Sequence, residues 1–541
     1  MTNAPMHWIA TPHIPPDHRG PVDHDYQPFG DPATGRPLVD SLREMVVQWP
    51  EAIAVEEAGG VTTLEDLWQR AAGLAGQITH AVPEDSHVGL LLPAGAAYMV
   101  AVFACLMAGR VMVPLDAASP DARNMDIVER ARIKLVLAEP HHHRSAYAGA
   151  LVLAVDPRVA CGSQPEFQTL PVDLDAPAVI VCTSGSSGRP KLIVHSQRAM
   201  MNWVRIHHDS VHLTHHDRML SLSSPASLAG FAGFLSAPLA AAATQVVDIK
   251  SAGLGGLLET LASRPVTQLR AAPSMLRGLA RLPEARSSFA GLRVVHAYGE
   301  PLLKADVVAL RQSLPEGCFI RSTYGATESS GLQWFADDDD AYDPVRVAAG
   351  ILQPDTMAAI VGDDGISCSD GEPGELWIRS RYNALGEWND DQLVPGRLLP
   401  DQDDAGSRIY KTGDVARYHG DGVFTVLGRK DRMIKVNGQR LEPGEIEVAL
   451  RALPEVREAE VVVEPRSEGP RLLAFVVADP RCDGAKLPAL LRAELRRVLP
   501  SFMIPSRILV VDAMPRLPNG KLDGLSLLAR LNTPDVSVSI A

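Results

Sequence analysis

From about Leu38 onward, short apolar runs alternate with segments of helical periodicity. VGLLLP, AAYMVAVFACLMAG and RVMVPLD read as strand, buried helix and strand. IKLVLAE, ALVLAVD and AVIVCTS are further strand candidates, rich in Val, Ile and Leu and bounded by Pro or Asp. This alternation predicts an α/β fold: a large N-terminal domain with parallel-rich sheets and helices. Beyond Gly428 the text changes to GEIEVALRALPEV, AEVVVEP, RLLAFVVADP and LPALLRAELRRVLP, a helix–strand–strand–helix order. That suffices for a small C-terminal α+β domain. The expected organisation is an irregular lead-in over 1–37, a core domain over 38–428 and a C-terminal domain over 429–541.

Composition narrows the classes. At 541 residues, more than one domain is expected. With 46% hydrophobic and 21% charged residues the chain is globular, not disordered. A formal net charge of -14 disfavours nucleic acid and anionic membranes as partners. Local positive groups must therefore hold any bound nucleotide. The opening MTNAPMHWIATPHIPPDHRG has no apolar core of the secretory kind, and Ala96 to Leu106 is too short to span a bilayer. The six cysteines show no CxxC spacing and read as reduced, mostly buried thiols; a cytoplasmic location is expected. The acidic run Asp337 to Asp340 reads as a solvated loop.

One local pattern points directly to chemistry. In VCTSGSSGRPK, a Val-rich strand enters a loop of Thr183, Ser184, Gly185, Ser186, Ser187 and Gly188, followed by Lys191. Small residues let backbone N–H groups approach an anion, hydroxyls add donors, and the lysine supplies a mobile charge. The spacing is not that of P-loop nucleotidases. The bland alternative, a flexible Ser/Gly linker, fits poorly with the adjoining strand and the Pro-Lys ending.

TSGSSGRPK resembles the phosphate loop of the adenylate-forming superfamily, which includes acyl-CoA synthetases, nonribosomal-peptide adenylation domains and firefly luciferase. STYGATESS (322–330), IYKTGD (409–414), GRKDRMIKVNGQRLEPGEIE (428–447) and LPNGKLD (517–523) follow in the family's order. The resemblance covers nearly the whole chain except the lead-in. It implies ATP-dependent activation of a carboxylic acid to an acyl-adenylate with Mg²⁺, followed by transfer to a thiol. It also implies catalytic roles for Thr183, Glu328 and Lys521. Gly299, Glu300, Tyr324, Gly325, Thr327, Asp414 and Arg429 join the loop residues around the nucleotide. Tyr324 would stack on adenine, Glu328 hold the metal, Asp414 accept from the ribose hydroxyls, and Lys521 bridge substrate carboxylate and α-phosphate. Read singly, these residues have plainer roles: a core aromatic, a capping carboxylate, a surface Asp–Arg pair and a solubilising lysine. By the same resemblance the C-terminal domain would be a mobile lid. Asp431 matches the family's hinge and equally suits a turn; Lys435 and Gly438 would line the thiol side after domain rotation.

For α-amino acids the family pairs the substrate ammonium with an Asp in a short segment that corresponds here to Ser224-Pro225-Ala226-Ser227. Pro225 stands in its place, and a buried ammonium without an anionic partner is costly. An ordinary α-amino acid is therefore not the expected substrate. The same alignment puts Pro225, Ala226, Ala229, Arg270, Val295, Ala297, Thr323, Gly331 and Leu332 around the acid. Arg270 either pairs internally or meets a second carboxylate or keto oxygen. Tyr298 departs from the small residue usual beside adenine. The histidines between His207 and His216 lack the companions of a zinc site and read as solvated helix and loop surface. RLEPGEIE is similar to stand-alone peptide-synthetase adenylation domains, and no further module follows LPNGKLD. The expected acceptor is thus the phosphopantetheine arm of a separate carrier protein, with CoA as the alternative. A catalytically idle nucleotide-binding protein is the remaining alternative, disfavoured by retention of Glu328, Asp414 and Lys521 together.

Overall fold

In the computed structural model, the described residues are 6–10, 14–22, 25–31, 35–119, 121–140, 147, 149–155, 172–184, 190–337, 341–389, 391–430, 434–436, 439–441, 443–464, 471–482, 486–499, 503–516 and 526–527. Two large sheets and a smaller antiparallel one account for most of their strands. In the nine-stranded sheet, six central strands run parallel, from Ile53–Glu57 through Ala243–Gln245, Arg218–Ser221, Gln268–Ala271 and Val294–Tyr298 to Phe319–Ala326. The eight-stranded sheet pairs His87–Leu91 in parallel with Val111–Pro114 and Ile133–Ala138. Beside the candidate phosphate loop its pairing is antiparallel, Pro177–Ser184 against Pro190–Ser196.

The sequence AAYMVAVFACLM is apolar all round, and such a helix is stable only when enclosed. Accordingly, every residue of Ala96–Met107 is buried, and the helix joins Val55 of one large sheet and Val88 and Leu90 of the other in one core. The neighbouring helix Leu64–Ala81 begins with a capping box, Thr63 with Asp66, that satisfies two otherwise orphaned backbone donors.

The third sheet is antiparallel and centres on Arg408–Tyr418, which pairs with Pro373–Ser380, Leu398–Pro400 and Phe424–Arg429. It runs through Arg429, one residue past the boundary that the sequence suggested. Beyond it lies a separate core of Ile446, Leu450, Val461, Leu491 and Leu495. This core joins helices Pro443–Arg451 and Leu487–Val498 to strands Val456–Glu464, Arg471–Ala478 and Arg507–Val510. No helix among the described residues is long and apolar enough to cross a membrane.

The lead-in is more than a tail. Ile9 pairs with Ala358, Gln333 Nε2 donates to Pro16 O at 2.6 Å, and Phe29 N donates to Asp209 Oδ1 at 3.0 Å. Of the cysteines, Cys105 and Cys318 are buried while Cys182, Cys368 and Cys482 are half-buried, so "mostly buried" was too strong. Cys161 lies outside the described residues.

Candidate active site

Strand Phe319–Ala326 and strand Arg408–Tyr418 come from different sheets, and a tyrosine joins them. The Tyr324 hydroxyl donates to Asp414 Oδ2 at 2.5 Å. Arg429, opposite Asp414 in the ladder, donates through Nη1 to Asp414 Oδ1 at 3.2 Å and to Thr412 O at 3.0 Å. Asp414 N donates to Thr412 Oγ1 at 2.9 Å. Burial, then Asp414, holds the Tyr324 phenol well above its ordinary pKa, so it stays a proton donor. The structure thus brings Tyr324, Asp414 and Arg429 together. It satisfies the Asp–Arg pair as well, and a carboxylate with both oxygens engaged still has lone pairs for further donors.

Thr183 and Lys191 face each other across the strand pair that frames the candidate phosphate loop. Lys191 Nζ stands 3.8 Å from Glu387 Oε2, on the adjoining strand Gly386–Asn389. Gly185, Ser186, Ser187 and Gly188 lie outside the described residues, as does the Ser184 side chain. Thr327 and Glu328 are half-buried in the turn between strands Phe319–Ala326 and Ser329–Ala336, beside exposed Gly325. Ala384 N donates to the Glu328 carbonyl at 2.9 Å, which fixes the backbone there. Gly299 and Glu300 are exposed at the end of Val294–Tyr298; the Glu300 carboxylate accepts from Ser274 N at 3.0 Å and Ser274 Oγ at 2.9 Å. Asp431, Gly438 and Lys521 lie outside the described residues. Lys435 pairs with Arg440 in a short hairpin whose side chains are likewise not described.

On the acid side, Ser227 caps helix Leu228–Ser236, accepting from Gly230 N at 3.2 Å. A Cβ on Gly230 would lie 2.1 Å from Ser224 O, so only glycine permits this tight entry. The entry turn holds Pro225 and Ala226, both half-buried, and the Pro225 carbonyl accepts from Tyr98 Oη at 2.7 Å. Ala229 and Gly233 follow one helical turn apart on one face. Gly233 faces Arg270: a Cβ there would lie 3.5 Å from Arg270 Nη1.

The strand alternation corrects part of the expected pocket. Val295 and Ala297, both 0% exposed, turn toward the core that holds Leu269, Ala271 and Ile320. Between and beyond them, His296 and Tyr298 occupy the opposite face, with Arg270 and His296 directly paired across the ladder. Leu332 is also wholly enclosed, among Leu352, Ile378 and Phe424. Gly331 fits against Ile378 and Tyr324, where a Cβ would meet Ile378 Cδ1 at 2.7 Å. Because side chains alternate along a strand, a one-residue slip in alignment moves the whole set to the wrong face. Thr323 does lie on the Arg270 side, where His296 Nε2 and Thr323 Oγ1 are 2.9 Å apart.

His296, Ser221 and Ser223 were thus missed, and Tyr298 was noted only beside the adenine; polar residues at alternate positions of VVHAY were the available signal for His296. Tyr298 Oη lies 2.8 Å from Ser223 Oγ and 3.5 Å from Ser221 Oγ. The reading of the histidines as solvated surface is overturned at three positions: His207, His208 and His212 are buried, whereas His215 is half-buried and His216 exposed. His208 Nε2 contacts Ser236 O at 2.8 Å, and His212 Nε2 contacts Asp17 Oδ2 at 2.9 Å beneath the lead-in. Among the described residues no group of three or more His, Cys, Asp or Glu is placed to hold a metal ion.

A sequence model of the AMP-binding enzymes matches residues 42–388, and that of their C-terminal domain matches 445–521. The chain belongs to the AMP-binding enzymes. As a member of this adenylate-forming superfamily it is an AMP-forming ligase. It is 34% identical over 487 residues to a probable non-canonical nonribosomal peptide synthetase of Salinispora arenicola, covering 88% of this chain and 6% of that protein. It is 31% identical over 531 residues to the isonitrile lipopeptide synthase of Streptomyces coeruleorubidus, covering 94% and 34%. It is 28% identical over 497 residues to gramicidin S synthase 2 of Brevibacillus brevis, covering 91% and 11%. The chain thus spans well under half the length of each of these relatives. Among solved structures, the anthranilate CoA ligase AuaEII with anthranoyl-AMP has the same fold (TM-score 0.79, 19% identity, 92% and 97% of the two chains). So does a four-domain nonribosomal peptide synthetase bound to AMP and glycine (TM-score 0.79, 23% identity, 95% and 37%). In this AMP-binding enzyme, Tyr324, Asp414 and Arg429 form one hydrogen-bonded cluster across two sheets.

Proposed function

We propose that this enzyme activates a carboxylic acid other than an ordinary α-amino acid and passes the acyl group to the phosphopantetheine thiol of a carrier protein. A carboxylate oxygen attacks the α-phosphorus of ATP, the bond to the β-phosphate bridging oxygen breaks, and pyrophosphate leaves. The thiolate then attacks the acyl carbon and AMP departs. The protein's contribution to the first step is to position two anions and offset their charge.

Asp414 is held by Tyr324 and Arg429 in one orientation, ready to accept from the ribose hydroxyls, while the Tyr324 ring offers a face to adenine. Thr183, Lys191 and the loop between them would cradle the phosphates. Mg²⁺ is commonly held by one or two carboxylates together with substrate phosphates, and Glu328 at the half-buried turn fits that need. Bound there, the ion would screen the phosphate charge. Lys521 would supply the cation between carboxylate and α-phosphate.

The single observation behind the substrate statement is the buried Arg270, on which no described carboxylate acts. The chain carries Pro225 where an α-amino acid would need an anion for its ammonium. Acid-dependent ATP–pyrophosphate exchange across amino, keto, hydroxy, aryl, fatty and dicarboxylic acids tests this. Strong exchange with common α-amino acids would sink it.

One observation favours CoA as acceptor instead. Arg397, Lys411, Arg429 and Lys430 line a cleft at the strand leading out of the large domain, together with Glu375, whose Oε2 lies 3.1 Å from Lys430 Nζ. Such a cluster suits a nucleotide phosphate. Product formation with CoA but not with phosphopantetheinylated carrier protein would select this second reading.

A further inference from the structure

Arg270 is 5% exposed, and its Nε and Nη1 atoms have no hydrogen-bond partner among the described residues. An unpaired buried ion costs several kcal/mol, so proteins normally provide a carboxylate. Here the neighbours are polar or cationic. The Arg270 guanidinium lies 5.8 Å from the Tyr298 ring centroid. Gly233 packs beside it: a Cβ there would sit 3.5 Å from both Arg270 Nη1 and Ser221 Cβ, in ordinary van der Waals contact. His296, opposite Arg270 in the ladder, has an unpartnered buried Nδ1. Behind it, the His207 ring stacks 6.0 Å from that of His296. Arg321 completes the cluster, with Nη1 3.4 Å from His207 Nδ1 and Nη2 donating to Gln333 Oε1 at 2.6 Å.

Charge tells the same story. Burial pulls the Arg270 guanidinium below its ordinary pKa, and Tyr298 is the neighbour acting the other way. Arg321 is pushed down to about 9, by burial first and then by Arg270. His207 and His296 are held well below their usual value by burial and by these two arginines. Two guanidiniums and two imidazoles therefore share one enclosed region in which no described carboxylate acts on Arg270. Such a region has its charge complement outside the protein.

We propose that Arg270, flanked by His296, Tyr298 and the hydroxyls of Ser221 and Ser223, binds a second carboxylate of the acid, so that the substrate is a dicarboxylate adenylated at one end. This rests on the adenylation reading above. The second carboxylate would take charge-assisted bonds from the unused guanidinium N–H groups, and the planar fork of arginine suits a carboxylate. Gly233 stands beside the guanidinium, and Ala229 precedes it by one helical turn.

The test is pyrophosphate exchange with the full chain. Dicarboxylic acids of increasing length, aliphatic and aromatic, are each paired with an analogue bearing methyl in place of the second carboxylate. Wild type is compared with Arg270→Met, which removes an unpaired buried charge at similar volume, and with Gly233→Ala, whose added methyl makes only ordinary contacts. The expected result is exchange with a dicarboxylate, preferred over its methyl analogue. That preference should fall about a hundredfold in Arg270→Met with the KM for ATP unchanged. Gly233→Ala should shift preference toward shorter dicarboxylates at unchanged Tm. Exchange with monocarboxylic acids that is indifferent to Arg270→Met overturns the dicarboxylate assignment alone. So does a keto or hydroxy acid that needs Arg270 but carries no second carboxylate. Silence with every acid, in a protein that still binds ATP, overturns the adenylation reading and this assignment with it.

Discussion

The Tyr324 hydroxyl donates to Asp414 Oδ2, and through that bond the nine-stranded sheet grips the antiparallel sheet. The bond orients both partners at once; in the proposed function the ring is the stacking face and the carboxylate the ribose acceptor. Tyr324→Phe keeps the face and frees the carboxylate of one donor. Loss of one such bond, about 1 kcal/mol, should raise the KM for ATP roughly fivefold in pyrophosphate exchange. A change in the KM for the acid with none for ATP would contradict this role.

Asp414→Ala should do more. It removes the proposed ribose acceptor and the partner that Tyr324 Oη and Arg429 Nη1 share, while Arg429 Nη1 keeps its bond to Thr412 O. We expect kcat/KM for ATP to fall by about 10²-fold or more, with little change in preference among acids.

Lys521→Ala should lower adenylation by about 10²–10³-fold, as removal of a fixed transition-state charge does elsewhere. Nucleotide binding, read by equilibrium titration, should change little, because the remaining groups hold ATP.

Val295 and His296 are chain neighbours on opposite faces of one strand. Val295→Ala should cost roughly 2 kcal/mol in urea unfolding and leave acid preference unchanged. His296→Leu should alter acid preference in exchange assays. If Val295→Ala alone shifted preference, the face assignment would be wrong.

Burial pushes the pKa of His195 and of His208 down to about 4. Above pH 6.5 both imidazoles are neutral whether the chain is folded or not. Between about 4 and 6.5 the unfolded chain binds protons that the folded one refuses, so stability falls as pH falls through that window. Each histidine contributes up to about 3 kcal/mol to this loss. His207 and His296 act in the same direction, while Asp209, whose carboxyl is raised by burial, opposes it. Denaturant midpoints at pH 7.5 and pH 5 should differ accordingly. An unchanged midpoint would show that these histidines are more hydrated than the structure has them.

Much of the architecture was legible because each signal was local. The apolar run of Ala96–Met107 had to be an enclosed helix, and the strand runs of 133–138, 151–154 and 177–184 carried the β-branched composition of parallel sheets. Tyr324, Asp414 and Arg429 were named from ordered motifs, and three strands from two sheets bring them together. The lead-in was not legible. It has no periodicity of its own and is held by single partners far along the chain, such as Asp17 to His212 and Phe29 to Asp209. The histidines misled for a related reason: burial of a polar ring depends on what covers it, and here the cover is that lead-in and strand Val294–Tyr298.

The fold class and the small C-terminal unit could be read along the chain, and the residues proposed to hold the nucleotide were named there too. The fold follows from backbone periodicity. Which side chains share a face of the sheet came from three-dimensional pairing instead. Val295 and His296 are one residue apart, and strand register, not composition, sets which of them looks into the core. The same pairing left Arg270 without a described carboxylate, because a buried charge finds its partner across sheets, at distances in sequence that no local pattern records.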